Sequence, residues 1–542
     1  MPGVKVEDIV SRYEALQSQR RNWENLWRDT ANYVLARKNN IGTYVSPGTQ
    51  RRVQIFDSTA CRANEKLAAG LFGYMCPPNE VWFKLRSVHR QLNQIPEVQT
   101  YFELVGRAIM EALYLSNFIL EIHETFLDLG AFGTACLYLE EGMKMPLNFR
   151  TVHINEFFIS ENTDGKIDSV FRYFDLSTRQ IAEKFGVEVM SDDQKKCFES
   201  KKGDQLEKRF TILHAVLPRR DYDSSSQLSS EMPYASLYID YQSKKVLRES
   251  GYMECPYMVS RFTKSSDEVY GRGPGINAIA EIKLLNKMKK TVLVAAEKAV
   301  DPPILVPDDG VVGPFRTTPG ALNYWRANGY NNKPEPWRFD VNLPIGLEMM
   351  NQEKDEIDKS FYVDLFEQLA DRRNMTATEV VERVREKLIL IAPAIGRLQS
   401  ELLSPMIHRS FRLLGEGRAL PPMPQALADY PQYEVFYISK LAMAMKLLDI
   451  DATLDTFQTV MPLAQIDQGI MDVFNVDQIV RGTAERNNMP PEFLRPPDEV
   501  AAIRQQRAEM QMAQMAVQAA EPVANAAKTA KEAMQPAEAQ AG

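Results

Sequence analysis

The chain has few of the residue patterns that mark an enzyme, a secreted protein or a membrane protein. Its 542 residues hold five cysteines, Cys61, Cys76, Cys136, Cys197 and Cys255, widely spaced and without a C-x-x-C pair. So sparse and odd a set reads as reduced thiols, not as a disulfide framework. Histidine is equally scarce. His89, His123, His153, His214 and His408 never fall in H-E-x-x-H or H-x-x-x-H spacing, so they read as packed or surface side chains, and no metal or other cofactor is expected. There is no G-x-x-x-x-G-K-[ST] loop, which excludes a P-loop ATPase, and no G-x-S-x-G elbow from which a serine hydrolase would be built. The longest apolar run, Leu388 to Ile395, spans eight residues and contains Pro393, against the roughly 20 needed to cross a bilayer. The opening MPGVKVEDIV lacks the apolar stretch of a secretion signal. Nor is there an excess of positive charge: 64 Lys and Arg against 72 Asp and Glu leave −8, which excludes a protein that coats nucleic acid electrostatically. These absences point to a chain that folds in the cytoplasm or serves a particle assembled there.

What is present is ordinary globular material, 44% hydrophobic and 25% charged, long enough for three or four domains of about 150 residues. Val6, Ile9, Val10, Tyr13, Leu16, Trp23, Leu26, Trp27, Tyr33 and Val34 recur at spacings of three and four, the stripe of a long amphipathic helix. A second helix starts at Asp57 or Ser58, carries Ala60, Ala63, Leu67, Leu71 and Tyr74, and stops at Pro77-Pro78. A strand is expected at Val81–Leu85 and a third helix over Pro96–Phe118. The period then changes from 3.6 to 2. Strands are expected at Phe132–Glu140, Ile154–Ile159, Ile167–Phe174, Phe210–Leu217, Tyr234–Tyr241 and Tyr257–Phe262, with a turn at Asn162-Thr163-Asp164-Gly165 and a helix at Ser177–Phe185. The second half reads as mostly helix, so the fold class is α+β, predominantly helical. GRGPG (Gly271–Gly275) resembles a phosphate loop only superficially, because Pro274 removes an amide donor; it reads as the start of a helix. Beyond Phe493 no aromatic occurs and fifteen of the last 42 residues are alanine, a stretch expected to be helical only when packed against neighbours.

The charge on two helices is uneven. Between Ile276 and Val300 five lysines (Lys283, Lys287, Lys289, Lys290, Lys298) face two glutamates, a net of +3. Between Gly346 and Asp371 eight acids face Lys354 and Lys359, a net of −6. The insert between them, Asp301 to Pro344, holds eight prolines. Such helices suit an antiparallel pair, basic against acidic, within one chain or from copy to copy in a ring. The acidic run Asp355, Glu356, Asp358 reads first as a solvated face.

These segments resemble, in order, those of the head-to-tail connector, or portal, proteins of short-tailed bacteriophages. FDSTACRANEKLAAGL (Phe56–Leu71) with Pro77-Pro78 and WFKL is similar to that family's N-terminal signature. FGTACLYLEEG and VHINEFFISENTDGKIDSVFR resemble its wing strand and hairpin, and GRGPGINAIAEIKLLNKM the approach to its stem. MTATEVVERVREKLILIAPAIGRLQSELLSPMIHR (Met375–Arg409) resembles the tunnel loop and long wing helix. The resemblance implies an α+β wing over residues 1–275, a first stem helix over 276–300, a clip insert over 301–345 and a second stem helix over 346–371. It further implies a tunnel-loop region and wing helix over 372–420, a helical crown over 421–495 and a helical barrel over 496–542. It implies a ring of twelve copies at one capsid vertex of a virion, assembled in the host cytoplasm, through which double-stranded DNA is packaged, held and ejected. The implied partners are the terminase large subunit, tail adaptor and tail proteins, and scaffolding, internal core and major capsid proteins, with no membrane. Arg372, Arg373, Lys283, Lys287 and Lys290 are the candidate DNA-channel residues; Asp308, Asp309, Phe315, Trp325, Tyr330 and Trp337 are the candidates for clip docking and subunit contact. No catalytic residue is expected. The competing readings are a metal-dependent phage nuclease built on the acidic runs and another internal core or tail component. A chain ending at Glu521 is expected to assemble as the full chain does, since the stretch removed carries too little apolar area to drive association; light scattering of the two checks this.

Overall fold

The computed structural model describes residues 5–42, 48, 55–142, 145–219, 221–222, 228–300, 304–305, 335–336, 343–370, 389–439, 475, 477, 495, 499–507 and 509–512. The chain divides into two units, Met1–Met445 and Lys446–Gly542. In the second, residues 499–507 and 509–512 are helical, and Arg504 grips Asp477 through two bonds of 2.6 Å.

The first unit opens with α1 (Val6–Val34), as its stripe predicts. α2 (Thr59–Met75), β1 (Phe83–Ser87) and α3 (Pro96–Leu115) follow. Here the structure departs from expectation. The third helix stops at Leu115, and a separate α4 (Phe118–Phe132) precedes the sheet. Ten of its fifteen residues are buried, Thr125 and Asp128 among them, while Glu121, His123 and Glu124 remain partly exposed. Next come β2 (Thr134–Glu141), β3 (Leu147–Val152), β4 (Phe157–Glu161) and β5 (Ile167–Ser177). α5 (Thr178–Phe185) begins with a capping box between Ser177 and Gln180. α6 (Asp192–Glu199), α7 (Gly203–Leu206), β6 (Arg209–Pro218), β7 (Tyr234–Asp240), β8 (Lys245–Tyr252) and β9 (Tyr257–Arg261) complete this part. α6 and β8, too polar to show an apolar period, are additions to the expected elements.

Two antiparallel sheets organise it, five strands in the order β4-β5-β6-β7-β8 and three in the order β3-β2-β9. Ile9, Val10 and Tyr13 of α1 pack on the larger sheet against Phe158, Phe171 and Leu213, while Trp27, Ala31 and Val34 at its other end enter the main core with α2, α4 and β2. Between these ends Arg20, 1% exposed, donates to the carbonyls of Ile154 (3.0 Å) and Phe157 (2.6 Å), pairs with Glu24 (2.8 Å) and lies over the Phe158 ring. The helix is thereby tied to the chain that leads into β4.

The remainder comprises α8 (Pro274–Asn277), α9 (Ile279–Val300), β10 (Ile304–Leu305), β11 (Glu335–Pro336), α10 (Leu343–Ser360), α11 (Val363–Ala370), α12 (residues 389–416) and β12 (Tyr433–Tyr437). β12 lies in the 421–495 stretch expected to be helical. It pairs with β1, Phe83 opposite Tyr437 and Ser87 opposite Tyr433, far back in the chain. α12 widens into a π turn at Gln399–Leu403. That turn carries Glu401, which takes bonds from the backbone N–H of Arg261 (3.0 Å) and its Nη2 (2.6 Å).

Arg261 is 3% exposed, and its guanidinium donates to Glu401, Glu161, the Val269 carbonyl (3.2 Å) and the Gly165 carbonyl (3.3 Å). All five N–H donors are engaged. Lys264 adds a second contact to Glu161, at 2.6 Å. One cation thus joins β9, the β4–β5 turn, the 263–272 loop and α12. Arg261→Ala is expected to cost about 3–5 kcal/mol in urea unfolding, because Glu161 and Glu401 lose their buried partner.

Candidate functional site

GRGPG starts a helix, as expected. Gly273 is the N-cap and Pro274 the first residue of α8. The glycines serve close packing, which the sequence did not reveal. A Cβ on Gly273 would lie 2.6 Å from the Leu129 carbonyl and 2.8 Å from the Gly133 nitrogen; one on Gly271 would lie 2.6 Å from the Gly133 carbonyl. Gly133 itself ends α4 at φ 72°, in the left-handed region. Backbone therefore rests on backbone where α8 and α9 leave the wing.

α9 and α10 form a helical hairpin. Ile282 and Leu285 are buried, Met288 and Val292 are packed on the core, and Met350 and Ile357 meet them from α10. The pair is antiparallel: a Cβ on Gly346, in the first turn of α10, would lie 3.7 Å from the Val292 side chain on the later half of α9. At the far end β10 and β11 make a two-residue antiparallel ladder, Ile304 opposite Pro336 and Leu305 opposite Glu335. The seam is apolar. None of Lys283, Lys287, Lys289 and Lys290 forms an ion pair with an acid of α10 among the described residues, so the expected basic-against-acidic pairing within one chain is not what holds the hairpin.

Lys283, Lys287 and Lys290 stand at i, i+4 and i+7 and share one face of α9. Lys283 pairs with Asp29 of α1, both over 40% exposed, a contact that water screens to at most about 1 kcal/mol. Lys290 lies over the Phe56 ring at 5.6 Å, and Lys287 is exposed. Between them Asn286 accepts from the backbone N–H of Phe56 (2.7 Å) and of Asp57 (3.3 Å). Residues 55–57 are so laid against α9. An asparagine inside a helix of good formers was the one available signal for this contact. Six large apolar side chains of the hairpin stay in solvent: Leu284 at 46%, Leu293 at 42%, Val294 at 39%, Val300 at 88%, Leu347 at 50% and Met349 at 50%.

The second stem helix, expected as one rod over 346–371, is two. α10 ends at Ser360 and α11 begins at Val363, with Tyr362 at φ 56° between them. Phe361 is fully buried, and Phe366 of α11 seats against Gly70 and stacks on Tyr74 of α2. Lys66 reaches Glu367 at 2.6 Å. Burial raises the Asp358 carboxyl; Lys66 pulls it back, while Glu367, Asp364 and Asp355 add to the rise. Acids thus crowd the joint.

Arg372, Arg373, Asp308, Asp309, Phe315, Trp325, Tyr330 and Trp337 lie outside the described residues. No group of three His, Cys, Asp or Glu able to hold a metal ion occurs among the described residues. His214 is buried, 2.6 Å from the Tyr257 hydroxyl and 3.0 Å from Ser236, and burial holds it neutral, well below the usual histidine range. No described helix is long and apolar enough to cross a membrane. The arrangement offers surface and charge, not a reacting constellation.

The family model described as bacteriophage head to tail connecting protein matches residues 6–494. A probable portal protein of Bordetella phage BPP-1 is 29% identical over 512 residues, covering 93% of this chain and 91% of that protein. The portal protein of Salmonella phage epsilon15 is 26% identical over 539 residues, covering 98% and 96%.

Gly70→Ala sets two effects against each other. Alanine gains about 1 kcal/mol of helix propensity, but its methyl would sit 2.4 Å from the Phe366 ring, an overpacking that costs about 1–3 kcal/mol. The expected result is a lower melting temperature and faster amide exchange in α11.

Proposed function

The chain belongs to the family of bacteriophage head to tail connecting proteins, and on that premise we propose that it works as a ring of twelve copies at one vertex of a capsid. The ring is the channel through which the duplex genome is packaged, held and later ejected. The observation that carries this reading is the hairpin of α9 and α10, whose six exposed apolar side chains no part of the described chain covers. Apolar surface of that kind in a soluble protein marks a contact with another chain, and ring closure gives every copy the same cover.

In this reading α9 and α10 lie in the stem, residues 301–345 are the clip, 372–420 the tunnel-loop region and long wing helix, 421–495 the crown and 496–542 the barrel. Asp308, Asp309, Phe315, Trp325, Tyr330 and Trp337 form the clip's docking and subunit-contact surface, which the terminase large subunit and the tail adaptor occupy in turn. Scaffolding, internal core and major capsid proteins meet the ring elsewhere. Arg372 and Arg373 guide the duplex. A chain of net charge −8 suits a conduit: continuous phosphate gripping would stall a moving duplex, whereas a few basic positions steer it. The energy for movement comes from another protein, and no enzymatic step belongs to this one.

Light scattering of the purified protein is expected to give a particle of about twelve chains, each 61.7 kDa, and negative staining a flanged ring with a central hole. A monomer at every concentration and salt overturns the reading, as does Mg²⁺-dependent cleavage of DNA that is lost when Asp355 and Asp358 are changed.

A further inference from the structure

Most acids of α10 have no ion pair among the described residues, and this bears on what the α9 lysines face. Across α10, five acids stand against Lys354 and Lys359, a net of −3; across α9, five lysines stand against Glu281 and Glu297, a net of +3. Among the described residues the one ion pair on α10 is Glu356 with Lys359. Glu348, Glu353 and Asp355 have no ion pair among the described residues, and on α9 neither do Lys287 and Lys289.

The two charged faces are matched in height. With Val292 beside Gly346 and the helices antiparallel, Lys290 stands at the level of Glu348 and Lys283 at the level of Asp355. Each pair is seven residues apart, about 10 Å of helix rise, and at that spacing Glu348 and Asp355 share one face of α10 just as Lys283 and Lys290 share one face of α9. Rotation about a ring axis moves a subunit sideways without moving it along the axis. Where the hairpin runs along that axis, a copy therefore presents its α9 lysines to the neighbouring α10 acids at the same level. Twelve acidic helices without such a neighbour would repel one another.

We infer that the lysine face of α9 docks on the Glu348–Asp355 face of α10 in the next copy of this chain, so that these lysines hold subunits together and do not read the duplex. The inference rests on the ring reading and names the partner of the stem surface within it. Lys287 and Lys290 carry the contact. Lys283 keeps Asp29 of its own chain, and the flanking Leu284, Val294, Leu347 and Met349 are covered in the same step.

The test uses two full-length variants, K287E/K290E and E348K/D355K. Each is expected, alone, to lose at least tenfold of the ring population seen by light scattering, since its like-charged faces oppose each other. Mixed in equal amounts they are expected to recover rings, because alternating copies restore opposite charges at every contact. Recovery on mixing also shows that both variants fold. Rings that form undiminished from either variant alone overturn the inference, and so does a mixture that fails to assemble. Rings of normal yield from K287E/K290E that hold duplex DNA less well assign the lysines to the channel instead. Wild-type protein that never forms rings would sink the ring reading itself, a result separable from all of these.

Discussion

Much of the first unit turns on one buried guanidinium. Arg261 spends all five of its N–H groups on four separate segments, and a cation placed so deep is tolerable only when every donor is met. The requirement acts as a constraint on backbone. It holds the β4–β5 turn at Gly165, the loop at Val269 and the π turn of α12 to one mutual arrangement. A π turn costs helix regularity, and here it brings Glu401 into line with both the backbone and the side chain of Arg261. The middle of α12 is thus tied to β9 and to the β4–β5 turn.

The stem is constrained differently. α9 and α10 bury one apolar stripe against each other and against α2, and that stripe fixes their direction and register. It leaves charge and apolar area unspent on the outer faces. A helix pair that is satisfied on one side only is stable as a fold and incomplete as a surface. The division of labour is visible in the side chains: Ile282, Leu285, Met350 and Ile357 within the seam, lysine and acid outside it. Membership of a family of connecting proteins accords with such incompleteness.

Legibility in the sequence followed locality. α1 and α2 carry clean stripes and were readable; so were the Asn162–Gly165 turn, the short helix beginning at Ser177 and Pro274 as a helix start. α4 was not: only Ser116 and Asn117 part it from α3, and neither is a Gly or Pro break. β12 was not, because its partner strand lies about 350 residues earlier and Arg86 meets Glu434 only in the fold. The break at Tyr362 was hidden since no Gly or Pro marks it in the sequence and the seating of Phe361 and Phe366 on the core accompanies it. The lysines of α9 were conspicuous as charge. Asp29 and Phe56, which engage two of them, were not, being more than 200 residues away in the chain.

At the root of the stem, Gly133 meets Gly271 and Gly273 with main chain against main chain. Side chains normally act as a cushion between elements, hopping rotamers and yielding by fractions of an ångström; here there is none. A mount without padding is stiff. A displacement of α8 therefore carries Gly133 and the end of α4 with it, so that the joint acts as a fulcrum and not as a spring.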